Sequence, residues 1–261
     1  MLRKRITTSV VSLVLIGIVL FVLPLQYAEW IIGLLLVVGA WEWAGFLELS
    51  SAPARAAYTT IVAGCLALVY FVIPERTNLI LQVACVWWFI AFFWNLRFPT
   101  AIVMPVRWIC GLLVIVPLYA ALILLIRLGV EYLLFTMLIV WAADAGAYFA
   151  GKKFGRVKLA PAISPGKTWE GVIGGLLLVG LLAVAVGVSR DLSIGVFLPF
   201  CLAVAAISVV GDLTVSMFKR TAGVKDSGSL FPGHGGVLDR IDSVAAAAPL
   251  FALGLGWLGL V

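Results

Sequence analysis

Stretches of some 20 apolar residues recur along nearly the whole chain, separated by short polar or proline-marked gaps. A helix needs about 20 residues to cross hydrocarbon. With no water there to satisfy open strands, only helices or a closed barrel can span. Barrel strands alternate apolar and polar residues, whereas these runs are apolar on every side. The chain is therefore read as all-α: a polytopic membrane helix bundle with about nine transmembrane helices. The spans are expected at roughly 6–25, 30–49, 57–73, 79–95, 107–126, 132–150, 171–188, 192–211 and 243–261. The third and fourth are the shortest, which leaves tilt or partial re-entry open. Only 11% of the 261 residues are charged, against about a quarter in soluble domains.

Basic residues orient the bundle. With the N-terminus in the cytoplasm, all 18 Lys and Arg fall on the cytoplasmic side except Arg76, Arg127 and Arg190. That is the bias expected of cytoplasmic loops. It also explains the net charge of +6 without a nucleic-acid partner. The basic start followed by an apolar run to Leu25 is too long for a signal-peptide core and lacks a small-residue cleavage site, so it is read as a retained span. Cys65, Cys85, Cys110 and Cys201 lie singly in apolar runs, which suggests neither a disulfide framework nor a zinc site. Residues 1–130 are read as a transmembrane scaffold. Residues 131–261 are read as the catalytic region, with cytoplasmic loops at 151–170 and 212–242 and no separate soluble domain.

The loop from Asp212 to Asp242 is the most polar part of the chain. It holds four Asp, four Lys or Arg, five Gly and the single His. Charge is costly near hydrocarbon, so its concentration here marks a working site. Carboxylates suit a hard divalent cation, and Lys, Arg and Gly suit phosphate. If the eighth helix continues past Asp212, then Asp212 and Ser216 share a face at i and i+4, and Lys219 and Arg220 continue it. Asp239 and Asp242, at i and i+3, share a face of the last helix. Asp239 is expected to meet Asp212 and hold magnesium with it, whereas Asp242 partly serves as a helix cap. Gly235 and Gly236 follow His234 as an anion cradle, flanked by Lys225 and Arg240.

The second loop adds Asp144, a membrane-embedded acid at the cytoplasmic end of the sixth span. Lys167 lies in Ser164-Pro165-Gly166-Lys167-Thr168. That run imitates the end of a P-loop, but Pro161 stands where such a loop needs Gly and no strand precedes it. Lys167 remains a phosphate contact. Gly171 and Gly175 read as helix packing. Glu42 is a candidate cavity-lining residue and Glu48 an interfacial one.

The run Ser216-x-Phe218-Lys219-Arg220-x4-Lys225-Asp226-x-Gly228-x2-Phe231-Pro232-x-His234-Gly235-Gly236-Val237-x-Asp239-Arg240-Ile241-Asp242 resembles the signature of phosphatidate cytidylyltransferases, the CDP-diacylglycerol synthases. The resemblance continues in Asp144-x-Gly146-Ala147-Tyr148-Phe149-x-Gly151 and in Ser164-Pro165-x-Lys167-Thr168-x-Glu170-Gly171. It implies transfer of CMP from CTP to phosphatidate with release of pyrophosphate, a requirement for magnesium with a second cation left open, and a homodimer in contact with membrane lipids. It also implies a multi-pass protein of the bacterial inner membrane with its active site facing the cytoplasm. Carried onto this chain, it makes Asp212 and Asp239 the metal ligands, with Lys219 as a further catalytic residue. Asp144, Lys167, Ser216, Arg220, Lys225, Asp226, His234, Gly235, Gly236 and Arg240 become the substrate contacts. Phosphatidate is a phosphomonoester with a second pKa of about 6. It needs no general base, and His234 is left to shape the nucleotide pocket. Two rival readings are a CTP-dependent membrane lipid kinase and a secondary transporter. A transporter would be expected to carry repeats and mid-membrane charges.

Overall fold

The computed structural model describes residues 14–49, 51–71, 74–231 and 235–259. After helical residues 14–21, the main elements are α1 (Leu25–Ala44), α2 (Ala52–Phe71), α3 (Thr77–Arg97), α4 (Met104–Leu128), α5 (Val130–Phe154), β1 (Lys158–Ala160), β2 (Ser164–Thr168), α6 (Trp169–Ser189), α7 (Ile194–Thr221) and α8 (Leu238–Trp257). Seven helices among the described residues are long and apolar enough to cross a membrane: α1 with its 3-10 extension to Leu47, and α2 to α7. The chain is thus a multi-pass membrane protein. The expected second to eighth spans each coincide with one of these helices. The third and fourth are full-length, at 20 and 21 residues. Much of the expected first span lies outside the described residues.

The ninth expected span is the helix α8, which is not among the seven. Its first five residues include Asp239, Arg240 and Asp242, which lowers its mean hydropathy. The rest runs through the middle of the bundle against α7, α4, α3 and α5, and Ser243–Pro249 are all buried. A helix enclosed by other helices needs small side chains more than lipid-like ones. Ala245–Ala248 supply them, and Gly211 of α7 comes so close that a Cβ there would stand 2.5 Å from the Asp242 carbonyl oxygen.

One segment departs from the all-α expectation. Residues 158–168 form an antiparallel hairpin, Lys158 opposite Thr168 and Ala160 opposite Ser164, inside the expected 151–170 loop. It is tied at both ends. Glu170 accepts the Val157 amide at 3.1 Å, and the Thr168 hydroxyl accepts the Gly171 amide at 3.1 Å as the N-cap of α6. Helices α5 and α6 flank the hairpin and pack through glycine: a Cβ on Gly146 would stand 2.6 Å from the Gly174 carbonyl, and one on Gly175 2.6 Å from that of Ala143. The packing role read for Gly175 holds. The seam fixes Asp144 on α5 relative to Lys167 on the hairpin.

At the same end of the bundle, Phe218 of α7 is wholly buried between Trp43 and Trp94, with ring centroids 5.0 and 5.8 Å away. Asn95 of α3 donates to the Thr214 hydroxyl at 3.0 Å. These contacts lock α7 against α1 and α3 within two turns beyond Asp212. All four cysteines are free.

Candidate active site

Asp212 sits where α7 nears the end of the bundle. Its Oδ1 accepts from the Ser216 hydroxyl at 3.1 Å, the pairing that i,i+4 spacing predicts. Its Oδ2 pairs with the Lys167 ammonium at 2.5 Å. The hairpin therefore folds over α7 and brings the two loops together. Asp144 lies within electrostatic reach of Asp212, Lys167 and Arg240.

Lys219 and Arg220 part company. Lys219 is buried and pairs with Asp239 Oδ1 at 2.7 Å, with Asp242 Oδ2 at 3.9 Å. Arg220 is exposed and donates from Nε to the Ile163 carbonyl at 3.1 Å and from Nη1 to the Val224 carbonyl at 3.3 Å. Neighbours on a helix are separated by about 100°, so the shared stripe expected of them divides. Arg220 pins the hairpin, and Lys219 stays inside the acidic cluster. The helix ends just beyond them in a left-handed turn, with Gly223 at φ 72 and the Val224 amide donating to the Lys219 carbonyl at 3.0 Å.

Asp239 has little capacity left for a cation. Oδ1 holds Lys219, and Oδ2 accepts the Ser227 amide at 2.8 Å and the Gly236 amide at 2.9 Å. Burial would raise its carboxyl, but the Lys219 ammonium and those two amides outweigh burial and hold it below the usual carboxylate range. The expected metal role thus meets a carboxylate already spent on shaping the 227–236 loop. Asp242 differs. Among the described residues it accepts a hydrogen bond only from the Ser243 amide, at 2.8 Å, and burial together with the Asp212 charge pushes its carboxyl up to about 8. Two acids that repel each other in this way share a common space.

The cap of α8 is not Asp242 but Glu42 of α1. This buried carboxylate accepts the Val237 amide at 2.8 Å, the Leu238 amide at 2.9 Å and the Ser227 hydroxyl at 2.8 Å. A carboxylate at a helix N-terminus satisfies open amides and faces the positive end of the dipole. Its fit also explains two glycines. A Cβ on Gly228 would stand 2.5 Å from Glu42 Oε1, and one on Gly236 would overlap both Glu42 oxygens. Gly235 takes φ 82, a left-handed backbone, and closes a bridge with Phe231. Glu42 was legible as a buried acid in an apolar run, but nothing in the sequence tied it to residue 238.

Lys225 and Asp226 are exposed and make no hydrogen bond or ion pair among the described residues. Arg240 is exposed at the rim beside Asp144. His234 lies outside the described residues.

The donors suit magnesium in kind: hard carboxylate and hydroxyl oxygens on Asp212, Asp242 and Ser216. Among the described residues no three His, Cys, Asp or Glu side chains form a ready metal cage. Magnesium commonly uses one or two carboxylates and completes its shell with water and substrate phosphates, so the residues fit the ion.

Known proteins show the same outline. The model of the cytidylyltransferase family matches residues 3–257. A phosphatidate cytidylyltransferase of Pseudomonas aeruginosa is 43% identical over 269 residues, covering 98% of this chain and 99% of that protein. One from Haemophilus influenzae is 36% identical over 282 residues, covering 97% and 98%. One from Staphylococcus aureus is 48% identical over 124 residues, about half of each chain. A family match across almost all of the sequence, with relatives aligned nearly end to end, establishes that the chain belongs to the cytidylyltransferase family.

Proposed function

We propose that the chain transfers CMP from CTP to phosphatidate, giving CDP-diacylglycerol and pyrophosphate for phospholipid synthesis. The observation that carries this reading is the convergence of Asp144, Asp212 and Asp242 with Lys167 and Lys219 at one end of the bundle, in a chain matching the family throughout.

A phosphate oxygen of phosphatidate bonds to the α-phosphorus of CTP. The bond from that phosphorus to the bridging oxygen of the β-phosphate breaks, and pyrophosphate leaves with the electron pair. The nucleophile is already anionic near neutral pH, so no side chain need remove a proton. The difficulty is bringing two anions together. Lys167 and Lys219 meet it by turning ammonium groups toward phosphate oxygens. Asp212 and Asp242, with the Ser216 hydroxyl, would hold magnesium, which when bound would supply positive charge against the triphosphate and its leaving group. Asp239 keeps Lys219 and the glycine turn in place, and Asp144 supports the site from α5.

The basic bias supports a cytoplasmic setting for this end, where CTP is, and the bacterial relatives suit an inner membrane. The lipid reaches the site with its acyl chains still among the helices, and the protein acts as a homodimer.

The test is an assay of purified protein with phosphatidate, CTP and magnesium. Pyrophosphate release that depends on phosphatidate, matched by CDP-diacylglycerol, is the expected result. Release of CDP with a phosphorylated lipid would instead make the protein a kinase, and solute movement across liposomes without CTP consumption would make it a transporter.

A further inference from the structure

The other end of α1 and α4 carries a second polar centre. Glu29 and Glu42 both lie on α1, about 20 Å apart along its axis at 1.5 Å per residue. Glu29 is buried and receives Arg127, near the C-terminus of α4, through Nε and Nη2; the Tyr70 hydroxyl donates to the same carboxylate at 2.8 Å. Holding a buried carboxylate needs such partners. Among the described residues Arg127 Nη1 makes no hydrogen bond, and the side chain is 40% exposed.

Arg127 lines a cavity of about 220 Å³ together with Glu75, Asn78 and Tyr119. Tyr119 is 4% exposed, and its hydroxyl makes no hydrogen bond among the described residues. That hydroxyl opens onto the hollow and is available to an acceptor from outside the chain. Tyr70 and Tyr119 also line a second hollow, whose other walls include Trp30, Val37, Leu66 and Phe71. The polar chamber and the apolar groove thus share two tyrosines as walls. Inside the chamber a guanidinium and a carboxylate with no ion pair among the described residues, Arg127 and Glu75, face one volume.

We infer that these two adjoining hollows together bind a zwitterionic phospholipid bearing a primary ammonium. The phosphodiester meets Arg127 Nη1 and the Tyr119 hydroxyl, the ammonium meets Glu75, and an acyl chain lies along the Trp30–Phe71 groove. An anionic lipid would leave Glu75 opposed to like charge, and a free headgroup would leave the groove unfilled. This end is separate from the nucleotide site, so the lipid is neither substrate nor product.

Native mass spectrometry of the full-length protein in detergent tests this. With equimolar phosphatidylethanolamine and phosphatidylglycerol, wild type should retain the former about fivefold more. Glu75→Gln should abolish that preference, and Tyr119→Phe should reduce retention several-fold, both with cytidylyl transfer unchanged. Glycerophosphoethanolamine, lacking acyl chains, should displace the lipid only at concentrations about a hundredfold higher. Equal retention of both lipids by wild type, or preference surviving Glu75→Gln, would reduce the site to ordinary annular lipid. Displacement by the soluble headgroup at equal concentration would remove the acyl groove from the account.

Discussion

The Glu42 carboxylate receives the backbone amide of Leu238 at 2.9 Å, across 196 positions of sequence. This contact joins the first described transmembrane helix to the helix that carries Asp239 and Asp242. Glu42 of α1 therefore shapes the candidate site as well as supporting the bundle.

Glu42→Gln keeps the shape but gives up charge and turns one acceptor into a donor against the Val237 or Leu238 amide. Hydrogen bonds to a charged group contribute about 1.5–3 kcal/mol. Turnover should fall about tenfold or more, and thermal denaturation should begin several degrees lower. Wild-type turnover in this variant would show that the clamp is dispensable.

The three aspartates of the island should separate by phenotype. Asp212→Asn and Asp242→Asn should each cut turnover by about a hundredfold or more, with a raised magnesium requirement. Asp239→Asn strands Lys219 in a buried site and should lower stability by about 3 kcal/mol. Magnesium titrations of turnover, run beside thermal melts, distinguish these patterns. If Asp239→Asn shifts the magnesium requirement while Asp242→Asn does not, the cation belongs on Asp239.

A carboxyl pushed up to about 8, as at Asp242, is mostly protonated at neutral pH before a cation arrives. A bound cation must displace that proton. Apparent magnesium affinity should therefore climb as pH rises from 6 to 8, by about tenfold per unit at the low end, and level off above. Calorimetry in buffers of different ionisation enthalpy should detect proton release at pH 7. Asp242→Asn should flatten both effects.

Gly211→Ala would set a methyl 2.5 Å from the Asp242 carbonyl oxygen, prising α7 from α8 beside Asp212. Close helix contacts of this kind tolerate no added carbon without backbone movement. Activity should collapse, with a loss of stability of about 1–3 kcal/mol. Gly166→Ala, in open space on the hairpin, should behave as wild type in both measurements.

What the sequence reveals follows the range of the forces involved. Helices and their spacing are local, so hydropathy located the seven spans, and the i,i+4 rule joined Asp212 to Ser216. The hairpin at 158–168 escaped because Pro161 and Pro165 interrupt any alternation that would mark strands. Lys167 on Asp212 and Glu42 on Leu238 are tertiary contacts, and neither residue type nor spacing identifies the partner. Asp239 and Asp242 look alike on one helix face. Only the folded loop shows that Ser227 and Gly236 claim the first and leave the second open.

The most direct test follows the label of CTP into lipid. Purified protein with phosphatidate, magnesium and CTP labelled at the α-phosphorus should yield labelled CDP-diacylglycerol, and CTP labelled at the γ-phosphorus should leave the lipid unlabelled. Lipid labelled from the γ-phosphorus, or none labelled from either, would contradict cytidylyl transfer by this chain.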